Sequence, residues 1–272
     1  MTKESFQGNL RAQRRNLQDE QRAAKQCRAM TVASTDILLL RHGETDWNLQ
    51  FRLQGQHPED PPLNATGTEQ SRVLANRLVS ENSQVASLAE QLVRTEPLAP
   101  DVACPIMAVY SSDLRRAVQT ATAAADALGL AVALEPSLRE RHLGVLEGLT
   151  GQEAAAQQPV AWSALCSGRS DARIPGGGES EDDLTARVVA GVEAIAARHP
   201  GQKVAVFTHG GVLATCYEHT VGHKYPRKLV NCAINRVRVE GQRWAVLDWG
   251  NVLHLQGTRT QSEAFGGSLT SG

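Results

Sequence analysis

Arg41-His42-Gly43-Glu44-Thr45 follows directly on an apolar run at residues 37–40. Histidine can act as a nucleophile toward phosphorus, and arginine is a planar fork that matches phosphate oxygens. A short apolar run reads as a buried strand. It would deliver both side chains to its carboxyl end, where open α/β sheets build ligand sites. Three further groups follow in order. Ser111-Ser112-Asp113-Leu114-Arg115-Arg116-Ala117-Val118-Gln119-Thr120 puts two arginines at the start of a helix. Leu138-Arg139-Glu140-Arg141-His142-Leu143-Gly144 offers a carboxyl group for acid–base work. Thr208-His209-Gly210-Gly211 closes another apolar run. Asn48, five residues past Gly43, adds an amide donor.

These groups need a scaffold. Apolar runs at 37–40, 106–110, 131–134 and 203–208 read as strands, with two more near 234–239 and 244–249. Leu63-Asn64-Ala65-Thr66-Gly67 leads into a helix to about Val79, with Val73, Leu74 and Leu78 on one face. Segment 81–105 reads as a short helix over 85–93, then a loop with Pro97, Pro100 and Pro105. Residues 113–128 read as a helix that Gly129 ends. Segment 146–178 is irregular, with one or two short helices and a hinge at Pro175-Gly176-Gly177-Gly178. Ser180, with Asp183 three residues on, caps a helix whose Leu184, Val188, Val192 and Ile195 recur at helical spacing. A last helix spans 212–221. Strands alternate with helices over most of the span. The expected fold is a three-layer α/β/α sandwich around a mostly parallel central sheet.

The 272 residues leave room for one large domain or two small ones, and 41% apolar residues support a sizeable core. A net charge of -1 gives no global pull toward nucleic acid or acidic membranes. Attraction for an anionic substrate must therefore be local. No basic-aromatic stripe suggests nucleic acid, and no apolar stretch approaches membrane-spanning length. Cys27, Cys104, Cys166, Cys216 and Cys232 are far apart and form no CxxC pair. That argues against a disulfide framework or a structural zinc site, and suits a reducing compartment. His57, His199, His219, His223 and His254 show no metal-ligand spacing. Residues 1–34 carry seven Lys/Arg against three acids and read as a flexible basic extension. An organellar transit segment is the alternative, weakened by Glu4, Asp19 and Glu20. The expected compartment is the cytoplasm, or a chloroplast or mitochondrion if residues 1–34 are such a segment. Residues 256–272 read as a disordered tail, which leaves 35–255 as the folded domain.

The order and content of the four groups resemble the histidine phosphatase superfamily, in the branch that also holds cofactor-dependent phosphoglycerate mutases. The resemblance covers roughly residues 36–255. Within it, Pro175-Gly176-Gly177-Gly178-Glu179-Ser180 and the Phe265-Gly266-Gly267…Thr270-Ser271-Gly272 ending are shared with phosphoglycerate mutase-like proteins of plants. By the resemblance, His42 is the nucleophile and forms a phosphohistidine. Arg41, Arg116 and His209 hold the three equatorial oxygens, with Asn48 as a further donor. The arginine immediately before Ala-x-x-Thr is the phosphate ligand, which selects Arg116; Arg115 reads as a solvated helix residue. Glu140 is the general acid and then the base that activates water. Glu44 and Glu147 are neighbours that could be confused with it. His142 reads as a structural partner. The arginines supply the positive charge that a magnesium ion otherwise would, so no metal or cofactor is expected.

Mutases of this branch carry a longer insertion before the second histidine, with a lysine and adjacent arginines. Here that segment offers only Arg169 and Arg173, separated, as candidates for reading a substrate carboxylate or second phosphate. Gly210 would add a backbone contact. The expectation is a phosphomonoesterase acting on a small phosphorylated metabolite, a sugar phosphate or phosphorylated carboxylic acid. A phosphoglycerate mutase and a non-catalytic phosphate-binding protein are the alternatives. Homodimers are common in such families, so self-association is the one macromolecular partnership considered.

Overall fold

The computed structural model describes residues 33–92 and 104–257, with the side chains of 85–92 left aside. The basic extension up to residue 32, Pro97 and Pro100, and the tail after residue 257 lie outside the described residues.

Among the described residues six strands form one sheet: β1 (Thr35–Arg41), β2 (Ile106–Ser111), β3 (Val132–Leu134), β4 (Lys203–Thr208), β5 (Ile234–Glu240) and β6 (Arg243–Asn251), in the order β3-β2-β4-β1-β5-β6. The pairs β2–β3, β2–β4 and β1–β4 are parallel, while β1–β5 and β5–β6 are antiparallel. The sheet is therefore mostly parallel, with an antiparallel hairpin on one edge. The chain leaves β1 for β2 and returns as β4 between them. The register pairs Arg41 with Thr208 and Ser111 with Phe207, so three parallel strands end at the same level.

Among the described residues seven helices flank the sheet: α1 (Asp46–Leu49), α2 (Ala65–Leu92), α3 (Arg115–Leu128), α4 (Gly151–Gln157), α5 (Pro159–Cys166), α6 (Glu181–Arg198) and α7 (Gly210–Val221). Successive strand side chains point to opposite faces. Ile37, Leu39, Val204 and Val206 accordingly pack with Leu184, Val188, Val192 and Ile195 of α6 and Val212, Leu213 and Cys216 of α7. Leu38, Leu40, Ala205 and Phe207 face the other way, onto Leu74 and Leu78 of α2 and Ala121, Ala124 and Ala125 of α3. Both layers of the expected sandwich are present. A small satellite core of Leu143, Leu146, Ala154, Ala161 and Ile174 supports the loop that carries Glu140.

Two local expectations change. Segment 65–92 is one helix, where the sequence suggests an end near Val79 and a new start at 85. Ser80, Asn82 and Ser83 look like a break because such side chains compete for the backbone. Here Ser83 Oγ donates to the Val79 carbonyl within the helix, and Asn82 Oδ1 accepts from Ile106 N–H at the entry to β2. The Pro175–Gly178 stretch, read from sequence as a hinge, forms a turn held by backbone hydrogen bonds. Gly178 N–H donates to Ile174 O at 2.9 Å, and Val145 N–H to Pro175 O at 3.0 Å. The capping box of Ser180 and Asp183 forms as expected.

Candidate active site

His42 is the first residue beyond β1, and 2% of it is exposed. Its N–H donates to Thr208 O, and its carbonyl accepts from Asn231 Nδ2, so the backbone is fixed from both sides. Nδ1 lies 2.7 Å from the Gly43 carbonyl. A carbonyl only accepts, so Nδ1 carries the hydrogen and Nε2 keeps its lone pair. Burial first, then the charges of Arg116 and Arg41, push its pKa well below the ordinary histidine value, against the Gly43 carbonyl. Neutral imidazole with a bare Nε2 is the form that can attack phosphorus. Gly43 is required by close approach: a Cβ there would stand 2.5 Å from Gly67 O.

His209 caps α7 and is fully buried. Its ring centroid is 5.2 Å from that of His42, tilted by 54°. Its Nε2 lies 2.8 Å from Ser112 Oγ, which also accepts from Leu114 N–H. Ser112 can therefore give its own proton to Nε2, leaving the hydrogen on Nδ1. Burial, then Arg116, His42 and Arg41, hold this histidine neutral as well.

Arg41 ends β1, and one of its NH groups donates to Leu229 O. Arg116, in the first turn of α3, donates from one NH2 to Gly55 O at 2.9 Å, and Asp60 lies 3.6 Å from the other. Both guanidinium groups are buried, which pushes their pKa values down to about 10 against the pull of Glu140. Asn48 caps itself with Thr45, using its amide oxygen. Five buried donors then have no hydrogen-bond partner among the described residues: Arg41 Nε, Arg116 Nε, Asn48 Nδ2, His209 Nδ1 and Arg116 Nη1, which has only the Asp60 carboxylate at 3.6 Å. Leaving one such group unmatched costs about 1–3 kcal/mol, so five around one histidine describe a socket for an anion. The N-terminus of α7 faces the same place, with its partial positive charge.

Glu140 is half-buried beside that end. Its carboxylate accepts from Arg141 N–H at 2.9 Å and from Gly211 N–H at 3.1 Å. Gly211 leaves room for it, since a Cβ there would lie 2.3 Å from Glu140 Oε1. The Glu140 carbonyl accepts from Gln56 Nε2 and Arg187 Nη2. The neighbouring acids have other tasks. Glu44 accepts from Asn64, while Glu147 accepts from Gln56 N–H and Leu143 N–H and so ties two site loops together.

His42, His209, Arg41, Arg116, Asn48, Glu140 and Gly210 are thus brought to one rim of the sheet. Arg169 and Arg173 are not. They are 72% and 71% exposed and ion-paired with Asp171 and Asp183, because the loop that carries them turns outward to solvent. Arg115 is exposed, as expected. Sequence reasoning missed Ser112, Gln54, Asn231 and Arg187. Ser112 was visible inside the helix-start motif. Gln54 is buried with its amide oxygen accepting from Thr45 Oγ1. Nothing local marked it, Asn231 or Arg187.

A neutral histidine with a bare nitrogen, set among phosphate-matching donors at the carboxyl end of a parallel sheet, defines a phosphoryl-transfer site of the histidine-nucleophile kind. The chain belongs to the histidine phosphatase superfamily (branch 1), whose family model matches residues 37–252. It is 39% identical over 234 residues to a metal-independent phosphoserine phosphatase of Arabidopsis thaliana, covering 86% of this chain and 88% of that one. It is 38% identical over 244 residues to phosphoglycerate mutase-like protein 4 of the same plant, covering 89% and 96%. Among solved structures, a mycobacterial glucosyl-3-phosphoglycerate phosphatase in complex with VO3 matches with a TM-score of 0.61 and 26% identity, over 80% of this chain and 99% of that one.

Proposed function

We propose that this protein is a phosphomonoesterase that hydrolyses a small phosphorylated metabolite through a phosphohistidine, without a metal. The observation that carries this reading is the set of five buried donors without a hydrogen-bond partner around neutral His42. The two phosphatases among its relatives support it.

The chemistry balances with the chain's own groups. His42 Nε2 attacks phosphorus and forms the N–P bond as the P–O bond to the alcohol breaks. The electron pair leaves on the alcohol oxygen, which takes a proton from Glu140. Arg41, Arg116 and His209 hold the equatorial oxygens, where the transition-state charge is spread. Gly43 O keeps its hydrogen bond to Nδ1–H and stabilises the positive ring. A water molecule then attacks phosphorus from the vacated side and gives a proton to the Glu140 carboxylate. The N–P electrons return to Nε2, and phosphate leaves. For the first step Glu140 must be protonated.

Phosphate release from phosphorylated sugars, sugar acids and amino acids, with chelator present, tests this for wild type beside His42→Ala. Chelator-resistant release that vanishes in the variant is the expected result. Isomerisation of 3-phosphoglycerate without release would replace the reading by a mutase. Inactivity in both assays would leave a phosphate-binding protein.

A further inference from the structure

A cleft of about 520 Å³ lies against the backbone of Glu140, lined by Gln56, Ser137, Arg139, His142, Glu179 and Arg187 among others. Arg139 and His142 flank the proton donor in sequence, and Gln56 follows the glycine whose carbonyl holds Arg116. The cleft is therefore next to where the alcohol must depart.

Its two arginines are already committed. Arg139 grips Asp113 with two parallel bonds, Nε to Oδ1 at 2.6 Å and Nη2 to Oδ2 at 2.5 Å. Arg187 grips Glu179 the same way, with both bonds at 2.8 Å, and spends its remaining nitrogen on the carbonyls of Ser137 and Arg139. Fork-to-fork pairs of this kind are the strong ones. Arg139 holds the Asp113 carboxyl below the usual carboxylate range. Burial pushes Glu179 up, but the bonds from Arg187 and His142 N–H outweigh it and hold it low. Each arginine is thus matched by an ionised acid, and among the described residues the cleft carries no surplus cation for a second anionic group.

One donor is left over. Gly144 N–H donates to His142 Nδ1 at 3.0 Å, so that nitrogen is an acceptor and the hydrogen of the neutral ring sits on Nε2. No described residue takes that hydrogen, and the side chain is 35% exposed.

We propose that this cleft receives the alcohol part of the phosphomonoester, selects alcohols of no net charge, and reads an oxygen on them through His142 Nε2–H. The proposal rests on the phosphomonoesterase reading above. Selection comes from denial as much as from attraction: an alcohol bearing a lone carboxylate or second phosphate would be desolvated beside Asp113 and Glu179 with no free cation to meet it.

The test compares kcat/KM for glycerol 3-phosphate (neutral alcohol), O-phosphoserine (zwitterionic alcohol) and 3-phosphoglycerate (anionic alcohol), with 4-nitrophenyl phosphate as a reference. Both net-neutral alcohols are expected to exceed 3-phosphoglycerate at least tenfold. Asp113→Asn, which releases Arg139, should narrow that gap several-fold. His142→Phe should lower the ratio of glycerol 3-phosphate to 4-nitrophenyl phosphate about tenfold. A wild type that cleaves 4-nitrophenyl phosphate yet prefers 3-phosphoglycerate, or treats all three alike, overturns the proposal. Failure to cleave any ester overturns the phosphomonoesterase reading instead. The wild-type comparison decides the matter even if a variant does not fold.

Discussion

The imidazoles of His42 and His209 lie 5.2 Å apart in one buried pocket, yet their backbone and side-chain partners leave opposite ring nitrogens free. The Gly43 carbonyl takes the hydrogen of His42 Nδ1 and bares Nε2 for attack. Ser112 Oγ occupies His209 Nε2 and leaves Nδ1–H as a donor. In the proposed mechanism the pair works as nucleophile and oxyanion ligand at the same charge state.

The nucleophile assignment predicts a trapped intermediate. Wild type quenched during turnover should carry phosphate in an acid-labile, base-stable linkage, and His42→Ala should carry none. Phosphate release by the variant should fall at least about 10³-fold. A variant that keeps turnover would move the nucleophile elsewhere.

Ser112→Ala removes the group that sets the His209 tautomer. The buried Nε2 is then unmatched, a cost of about 1–3 kcal/mol, or roughly 5- to 150-fold. The loss should appear mainly in kcat, because the donor faces charge that develops in the transition state. Steady-state kinetics separate the two parameters, and a change confined to KM would argue against the tautomer assignment.

Glu140 should matter in proportion to how badly the alcohol needs a proton. Glu140→Gln is expected to lower cleavage of alkyl esters by about 10²–10⁴-fold. In kcat/KM, which ends at P–O cleavage, it should affect 4-nitrophenyl phosphate much less, since that leaving group departs unaided; the later water attack, common to all esters, slows kcat for both. Gly211→Ala should reproduce the pattern in milder form, because the new methyl group meets the Glu140 carboxylate. Equal losses in kcat/KM on both ester types would remove Glu140 as proton donor.

The buried histidines also set a stability slope. His42 and His209 have pKa values pushed well below 6.5 by burial, so below that pH the unfolded chain binds protons that the native one refuses. His254, lowered by burial to about 4, adds in the same sense. Stability should fall as pH drops through 6.5, by about 1.4 kcal/mol per pH unit for each histidine once well below it. Urea midpoints between pH 7.5 and 5 in phosphate-free buffer measure this. The double variant His42→Gln/His209→Gln should show a flatter slope, and an unchanged slope would contradict the burial argument.

Local pattern alone placed the candidate residues at the ends of strands and helices where the structure has them. Apolar runs ending in Arg41-His42 and Thr208-His209, and an arginine in the first turn of a helix, identify strand and helix ends by composition. Parallel pairing then brings those ends to one rim. Periodicity likewise marked Leu184, Val188, Val192 and Ile195 as a core face, which they are.

What the tertiary structure decided are the pairings between residues distant in sequence. Arg116 is aimed by the carbonyl of Gly55, Arg41 by that of Leu229, and the backbone of His42 by Asn231. Which arginines keep spare charge is also a long-range matter. Arg169 and Arg173 looked available in the sequence but pair with acids at the surface, and Arg139 is committed to Asp113. Hydrogen bonds and ion pairs act over about 3 Å of space regardless of separation along the chain. Residue types fix what chemistry the chain could perform, whereas only folding determines which donors are left unmatched to perform it.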